Sequence, residues 1–390
     1  IEAGNVSMTT SNSLINGGAA LFGMKADLQF GKLRVNALLA QQESESKTVN
    51  SKGGVQTKPF EITIDSYDEN RHFFIAQYFR DRYDQALEKL PRVNSAVTIN
   101  RVEVWITNKQ GNYDQARNIV AFSDLGENKH ISNPQFSPQG SSELPNNESN
   151  NLYQTIVNNY PDAREISKVT QTLNGILESG RDYEKIESAR LLNESEYTIN
   201  KQLGYISLNT QLQPDDVLAI AYEYTSGGKF SSDNTNNTTT CLYLKLLKGS
   251  NMSPKMPFWD LMMKNVYSLN AYSVQKEKFQ LNILYQNDTV GTAVNYISEG
   301  AIKDQILLKV MNLDRLNSQE EAYSDGFFDF VDGYTIMADK GKVIFPVVEP
   351  FGSHLRKKIG NDAIADKYVF QELYDSTLTY ARQIAEKNKF

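Results

Sequence analysis

The chain has 390 residues, of which 40% are hydrophobic and 22% charged, with a net charge of −7, and is long enough for two or three domains with separate cores. The acidic balance argues against non-specific nucleic-acid binding, which needs clustered Lys and Arg to neutralise phosphates. No apolar run reaches the length of about 18 residues that a transmembrane helix needs, and a lone Cys241 leaves no intrachain disulfide or cysteine metal site. Twenty-one Tyr and 18 Phe suit a sheet-rich surface or envelope protein. The start at Ile1, without Met or a signal peptide, reads as a fragment or excised domain.

In residues 20–42, Met24, Ala26, Leu28 and Phe30 alternate with Lys25, Asp27 and Gln29. After a Gly31-Lys32 turn, Leu33, Val35, Ala37 and Leu39 alternate with Arg34 and Asn36, until Leu38 and Ala40 break the pattern. The pattern predicts a hairpin, either one hairpin of an outer-membrane barrel or an amphipathic hairpin on a soluble core. Periodicity alone does not choose between them. Residues 41–58, rich in Ser, Glu, Lys and Gly, read as a solvated linker.

Alternation in Phe60–Asp65 predicts a strand. A helix is expected over 70–90, with Ile75, Ala76, Phe79, Tyr83, Ala86, Leu87 and Leu90 on one stripe, Asp68 or Asn70 at its start and Pro91 after its end. Val97–Asn108 and Arg117–Ser123 read as partner strands around a turn at 108–112, which makes a small α+β layer. Residues 125–151 are polar and read as a loop or domain linker.

Helices are predicted over Leu152–Tyr160 and from Pro161 to Gly180, the second burying Ile166, Val169, Leu173, Ile176 and Leu177. Tyr183–Leu192 carries mixed signals and stays unassigned. Tyr205–Leu208 and Val217–Tyr224 read as strands, the second apolar on both faces and so central. Ser226–Thr240 reads as a mobile polar loop, Cys241–Leu247 as a strand, and the stretch after Pro257 as a short helix. Val266–Tyr272 and Phe279–Gln286 continue a sheet, and Asp362–Lys387 closes the chain as a helix burying Tyr368, Val369, Leu373, Thr377, Tyr380, Ala381 and Ile384.

Between them lies Phe327-Phe-Asp-Phe-Val-Asp-Gly-Tyr-Thr-Ile, running on to Gly341-Lys-Val-Ile-Phe-Pro-Val-Val-Glu-Pro-Phe-Gly352. Phe327–Phe330 with Thr335–Met337, then Lys342–Val348, are expected as strands joined by Asp-Gly and Lys-Gly turns. This stretch resembles a motif of the SprA/Sov family, the giant outer-membrane translocon of type IX secretion. Three further stretches resemble the same family: DENRHFFIAQYFRDRYDQALEKLP at 68–91, INRVEVWITNKQGNYDQARNIVAFSDLGE at 99–127 and YTINKQLGYISLNTQLQPDDVLAIAYEYT at 197–225.

The chemistry-bearing residues form no recognised catalytic pattern. His72, His130 and His354 lie in no HExxH, nucleophile-elbow or P-loop context. Asp325, Asp329 and Asp332 beside Gly326 and Gly333 offer oxygen ligands for Ca²⁺, but not at EF-hand spacing, and turn-forming Asp accounts for them more simply. Asp65, Asp68 and Glu69 carry the same ambiguity with helix-terminus electrostatics as the simpler account. Asp215 and Asp216 are adjacent, in a Pro-Asp-Asp turn, and do not make a glycosidase pair. Trp105, Tyr113, Tyr183 and Phe230 are the candidates for a sugar-stacking platform, with core packing the plainer role for Trp105.

The expected fold is therefore α+β, sheet-rich and multi-domain. A β-hairpin of outer-membrane-barrel type and its linker occupy 1–50, followed by inserted soluble mixed α/β domains. These are a small α+β domain at 59–140 and a helix-flanked β-rich domain at 152–390, with room for a subdivision near 226–240. The resemblance implies a non-enzymatic segment of an outer-membrane translocon that caps, lines or gates the pore for folded proteins, in relatives linked to gliding motility. It implies cargo with C-terminal sorting domains, a lateral-gate barrel protein, a periplasmic plug and the outer membrane as partners. Soluble domains would face the periplasm or the cell surface, and no nucleic acid is expected. No catalytic, cofactor or metal residue is assigned. The alternatives are a cell-surface carbohydrate-binding or adhesive module, in which sugar would perturb Trp105 or Trp259, and a metal-dependent hydrolase.

Overall fold

The computed structural model describes residues 2–6, 21–31, 33–41, 59–109, 111, 113, 115–225, 229–230, 240–287 and 291–390. Two compact units divide at Pro59. In the first, β1 (Glu2–Val6), β2 (Leu21–Phe30) and β3 (Leu33–Gln41) form an antiparallel sheet in that order. The expected hairpin pairs from Phe30 with Leu33 to Phe22 with Gln41, turning through Gly31 at φ +60°. A third strand, β1, pairs with β2 from Val6↔Leu21 to Glu2↔Lys25. This pairing pattern is common to any antiparallel sheet and does not establish a barrel wall. Of the linker expected at 41–58, Gln41 ends β3 and the rest lies outside the described residues.

The second unit, 60–390, is built around a six-stranded central sheet with smaller sheets beside it. Its strands are β4 (His72–Phe74), β5 (Thr98–Ile106), β6 (Arg117–Phe122), β7 (Tyr183–Leu191), β8 (Tyr197–Asn200), β9 (Tyr205–Leu208), β10 (Leu218–Thr225), β11 (Lys229–Phe230) and β12 (Leu242–Lys248). The central sheet has the order β11-β10-β12-β6-β7-β5, and β10 pairs with β5 as well. The ladder of hydrogen bonds thus passes through β5, β10, β12, β6 and β7 and returns to its start. β10 is paired along both edges and covered on both faces, which is why Leu218-Ala-Ile-Ala carries no polar residue. β4, β9 and β8 form a separate antiparallel sheet.

Several expectations fail here for identifiable reasons. Phe60–Asp65 is not a strand: Thr63 Oγ1 bonds Asp65 Oδ1 at 2.5 Å and Ile64–Ser66 closes a 3-10 turn. The helix expected from residue 70 begins only at Gln77, as α1 (Gln77–Ala86), because His72–Phe74 is used as β4. β5 and β6 are not partners, since β7 inserts between them. β7 was obscured by a bulge at Arg117/Ile119, where Ser188 has φ 52° and its amide bonds Asn118 Oδ1. Because strands from both sides of 125–151 share this sheet, that loop separates no domains. Its Leu125, Phe136 and Asn133 are buried.

α2 (Leu152–Asn159) forms where its pattern places it, whereas the next helix shrinks to a 3-10 turn at Pro161–Arg164 and α3 (Val169–Leu173). Val169, Leu173 and Leu177 are buried all the same. Beyond β12, the expected sheet contracts to β13 (Val266–Ser268), a two-stranded pair of β14 (Tyr285–Gln286) and β15 (Ala293–Val294), β16 (Ile336–Met337) and β17 (Lys342–Ile344). Phe327–Phe330 is not a strand. Asp329 there turns its carboxylate onto the amides of Arg315 and Leu316, at 2.7 and 3.1 Å. The closing helix breaks into α4 (Asp362–Ala365), α5 (Glu372–Asp375) and α6 (Leu378–Gln383), leaving Thr377 and Tyr380 exposed. Thr377 caps α6 instead of lying on a stripe, accepting from the Tyr380 amide. The Ser226–Thr240 loop lies outside the described residues except for β11 and Thr240.

Two hydrophobic clusters fill this unit. One lies around the central sheet and α1; the other joins β13, β16 and β17 to the C-terminal helices.

Candidate functional site

Where the two clusters meet, the chain buries a line of polar side chains. Asn70, at φ 58°, reverses the backbone between Asp68 and His72. His72 and Ser207 are cross-strand neighbours on β4 and β9. The imidazole is fully buried, with Nδ1 2.8 Å from Ser207 Oγ and Nε2 2.9 Å from Asp68 Oδ2. The same carboxylate oxygen accepts from Lys342 on β17, and Arg71 lies 3.2 Å from the other oxygen.

Burial pushes the Asp68 carboxyl up, but the hydrogen bonds and charges of His72 and Lys342 outweigh it and hold the group at about 2. Burial pulls the imidazole pKa of His72 below its ordinary value despite the adjacent carboxylate. A neutral His72 donates from Nε2 to Asp68 and accepts at Nδ1 from the Ser207 hydroxyl.

This is an Asp-His-Ser order by geometry, and neither sequence spacing nor motif announced it. A hydrolase needs its serine within reach of substrate and its base free to take a proton. Ser207 is 2% exposed, His72 is 0% exposed, and Asp68 is already neutralised by Lys342. The arrangement fastens three segments, 68–72, 207 and 342, across the seam. The available signal for Ser207 was a lone Ser within the otherwise hydrophobic strand Tyr-Ile-Ser-Leu.

The same seam carries Arg80 bonded to Glu349 at 2.9 Å and Asn265 Nδ2 donating to the carbonyls of Phe345 and Val347. Lys264 Nζ lies 4.4 Å from the centre of the Trp259 ring and donates to Tyr374 O, which also accepts from Trp259 Nε1. Burial lowers the Lys264 ammonium to about 8. Inside the central sheet, Lys245 pairs with Glu127 at 2.8 Å, and Glu127 also accepts the first amide of α1. Lys248 donates to the carbonyls of Pro214, Asp216 and Gly249, and burial lowers it to about 8. None of these lysines was singled out from the sequence, because each sits in an apolar strand or turn.

The remaining expected residues separate into local roles. His130 pairs with Asp81 at 2.7 Å, and His354 Nε2 donates to Val310 O. Asp65 holds Arg382 and Asn388 near the end of the chain, and the Glu69 amide donates to Tyr67 O. Asp215 and Asp216 both bind Lys109, at 2.7 and 2.8 Å. Asp325 and Asp332 accept from the amides of Phe327 and Ala338, while Asp314 accepts from Ser324, Asp325 and Gly326. Among the described residues, no group of three or more His, Cys, Asp or Glu is arranged to hold a metal ion.

Trp105, Trp259 and Tyr183 are 4, 5 and 2% exposed, so they form core and not a sugar platform. Tyr113 is exposed; the side chain of Phe230 lies outside the described residues. Beside Tyr113, the most exposed aromatics among the described residues are Tyr272, Tyr323 and Phe327, 87, 70 and 67% exposed. The segments that bear them are joined by Lys276–Glu320 at 3.1 Å and by Phe279 against Phe328, 5.3 Å between ring centres. Tyr and Phe exposed in this way are residue types enriched in protein interfaces.

Compared with known families, residues 1–213 match SprA_N, described as motility related/secretion protein. The match runs from the N-terminal sheet through β9 and includes Asp68, His72 and Ser207. No curated protein matches the chain.

Proposed function

The chain belongs to the SprA_N family of motility-related and secretion proteins, and from that premise we propose that it is a non-enzymatic segment of an outer-membrane protein translocon. In this reading residues 60–390 cap, line or gate the pore through which folded proteins leave the cell. The hairpin of β2 and β3 supplies barrel wall, and the partners are exported proteins with C-terminal sorting domains, a lateral-gate barrel protein and a periplasmic plug.

The observation that carries the reading is a family match spanning both the N-terminal sheet and the first half of the larger unit. The burial of His72 and Ser207 in the Asp68-His72-Ser207 arrangement supports a contact role over a hydrolytic one. No described helix is long and apolar enough to cross a membrane, and the reading calls on none.

Photo-crosslinking in cells tests it. With benzoylphenylalanine at Tyr272, Tyr323 or Phe327, a tagged exported protein stalled in transit is expected to form an adduct from at least one position. Normal abundance of the parent protein with adducts only to envelope polysaccharide contradicts the reading and favours an adhesive module.

A further inference from the structure

After α3 the chain turns through Asn174-Gly175, with Gly175 at φ +78° and Leu173 O accepting from the amides of Ile176 and Leu177 at 3.1 and 3.0 Å. Both turn residues are exposed. Among the described residues, the Asn174 carboxamide and the Gly175 amide make no hydrogen bond. The space around Gly175 is open, since a Cβ there would meet no atom within 4 Å beyond its chain neighbours. A main-chain nitrogen attacks the preceding side-chain amide most easily where it belongs to glycine, because no Cβ crowds the approach and the backbone turns freely.

Comparable pairs elsewhere in the larger unit are tied. Asp325 Oδ1 accepts from the Phe327 amide, and Gly326 N donates to Asp314 Oδ2. Asp332 Oδ1 accepts from the Ala338 amide, and Gly333 N donates to Ile336 O at 2.7 Å. Asn317, before Ser318, has its Oδ1 engaged by the amides of Gln319 and Glu321. The sequence holds a second Asn-Gly pair at 16–17, which lies outside the described residues.

We propose that Asn174 is a self-modifying site, at which the chain converts its own carboxamide to aspartate and isoaspartate. The Gly175 nitrogen loses its proton to hydroxide and bonds to Asn174 Cγ, and the Cγ–Nδ2 bond breaks with release of ammonia. Water then opens the five-membered imide, at Cγ to give aspartate or at the main-chain carbonyl to give isoaspartate. No electrons are gained or lost, and water is the co-reactant. The peptide plane between Asn174 and Gly175 must first rotate from ψ 131°, and no hydrogen bond of either attacking or attacked group resists that rotation. The product places a negative charge between the buried side chains of Leu173 and Leu177, and the isoaspartate adds one main-chain bond there. The bond from Asn133 Nδ2 to Ile176 O spans this stretch, so the modification loosens the lead into β7.

The test holds the full chain at pH 8 and 37 °C, native or in urea, and maps tryptic peptides by mass spectrometry over time. Peptide 169–181 carries Asn174 as its one asparagine, and peptide 93–101 carries Asn94-Ser95 for comparison. In the native chain, replacement of NH₂ by OH is expected at least fivefold faster in 169–181 than in 93–101. The native rate in 169–181 is expected within about threefold of the rate in urea, because the fold does not cover the pair. Isoaspartyl methyltransferase should label that peptide, and Asn174→Gln should abolish the label. Gly175→Ala is expected to slow conversion at least tenfold. Since alanine is strained at this φ, the comparison of native with urea-unfolded parent chain decides if that variant does not fold. Equal rates in the two peptides, a native rate tenfold or more below that in urea, or an unchanged rate in folded Gly175→Ala overturns the proposal.

Discussion

Asp68 is half-buried and Asp329 buried, yet their surroundings move the two carboxyls in opposite directions. Asp68 is held at about 2, below its ordinary 3.8, by His72 and Lys342. Its contribution to stability is therefore complete above about pH 4 and is lost as pH falls towards 2. Asp68→Asn leaves Lys342 buried beside a neutral group and is expected to destabilise the fold by roughly 3 kcal/mol. Denaturant melts should show that difference at pH 7 and a smaller one at pH 3. Asp329 is raised to about 6 by burial, with Asp314 and Asp325 adding to the effect against the two amides it accepts. Here the folded state binds the proton more tightly than the unfolded chain, so this group's contribution weakens as pH rises from about 4 through 6. The stability of Asp329→Asn relative to the parent is expected to rise between pH 4 and pH 7. A flat difference across that range would refute the buried-charge account of Asp329.

Among the elements, those legible in the sequence were the ones whose burial has a simple period. The β2–β3 hairpin, α2 and β10 follow from dyad alternation, a helical stripe and an apolar run. Elements set by distant partners were not legible. His72–Phe74 belongs by local pattern to a helix and becomes a strand because β9 pairs with it. The 362–387 stripe is interrupted twice, and Thr377 caps a new helix in the middle of it. The turn between β16 and β17 was read correctly from Lys340-Gly341, and its glycine is required for two reasons. Gly341 has φ +57°, and a Cβ would meet Ala271 O at 1.9 Å. Gly341→Ala is expected to cost roughly 2–4 kcal/mol, measurable as a fall in the denaturation midpoint. An unchanged midpoint would mean that the 271 loop does not press on this turn.

For the molecule as a whole, the sequence carried the family and much of the α+β character, while the interior of the larger unit depended on contacts between residues far apart. The seam between its two cores is the clearest case. Asp68 pairs with a lysine 274 positions later, and Arg80 with a glutamate 269 positions later. No local pattern encodes such pairs, nor the placing of β5 and β6 in one sheet with β7, β10 and β12 from much later in the chain. A unit fastened in this way presents a fixed surface, which suits a part that works by shape and contact. In the proposed role this surface belongs to the export machinery. The direct measurement is cargo export in cells whose parent protein has residues 60–390 replaced by a short Gly/Ser linker, with its envelope abundance checked alongside. Normal abundance of the truncated protein with cargo retained in the periplasm is the expected result. Continued export at normal abundance, with loss only of adhesion to a glycan surface, would contradict it.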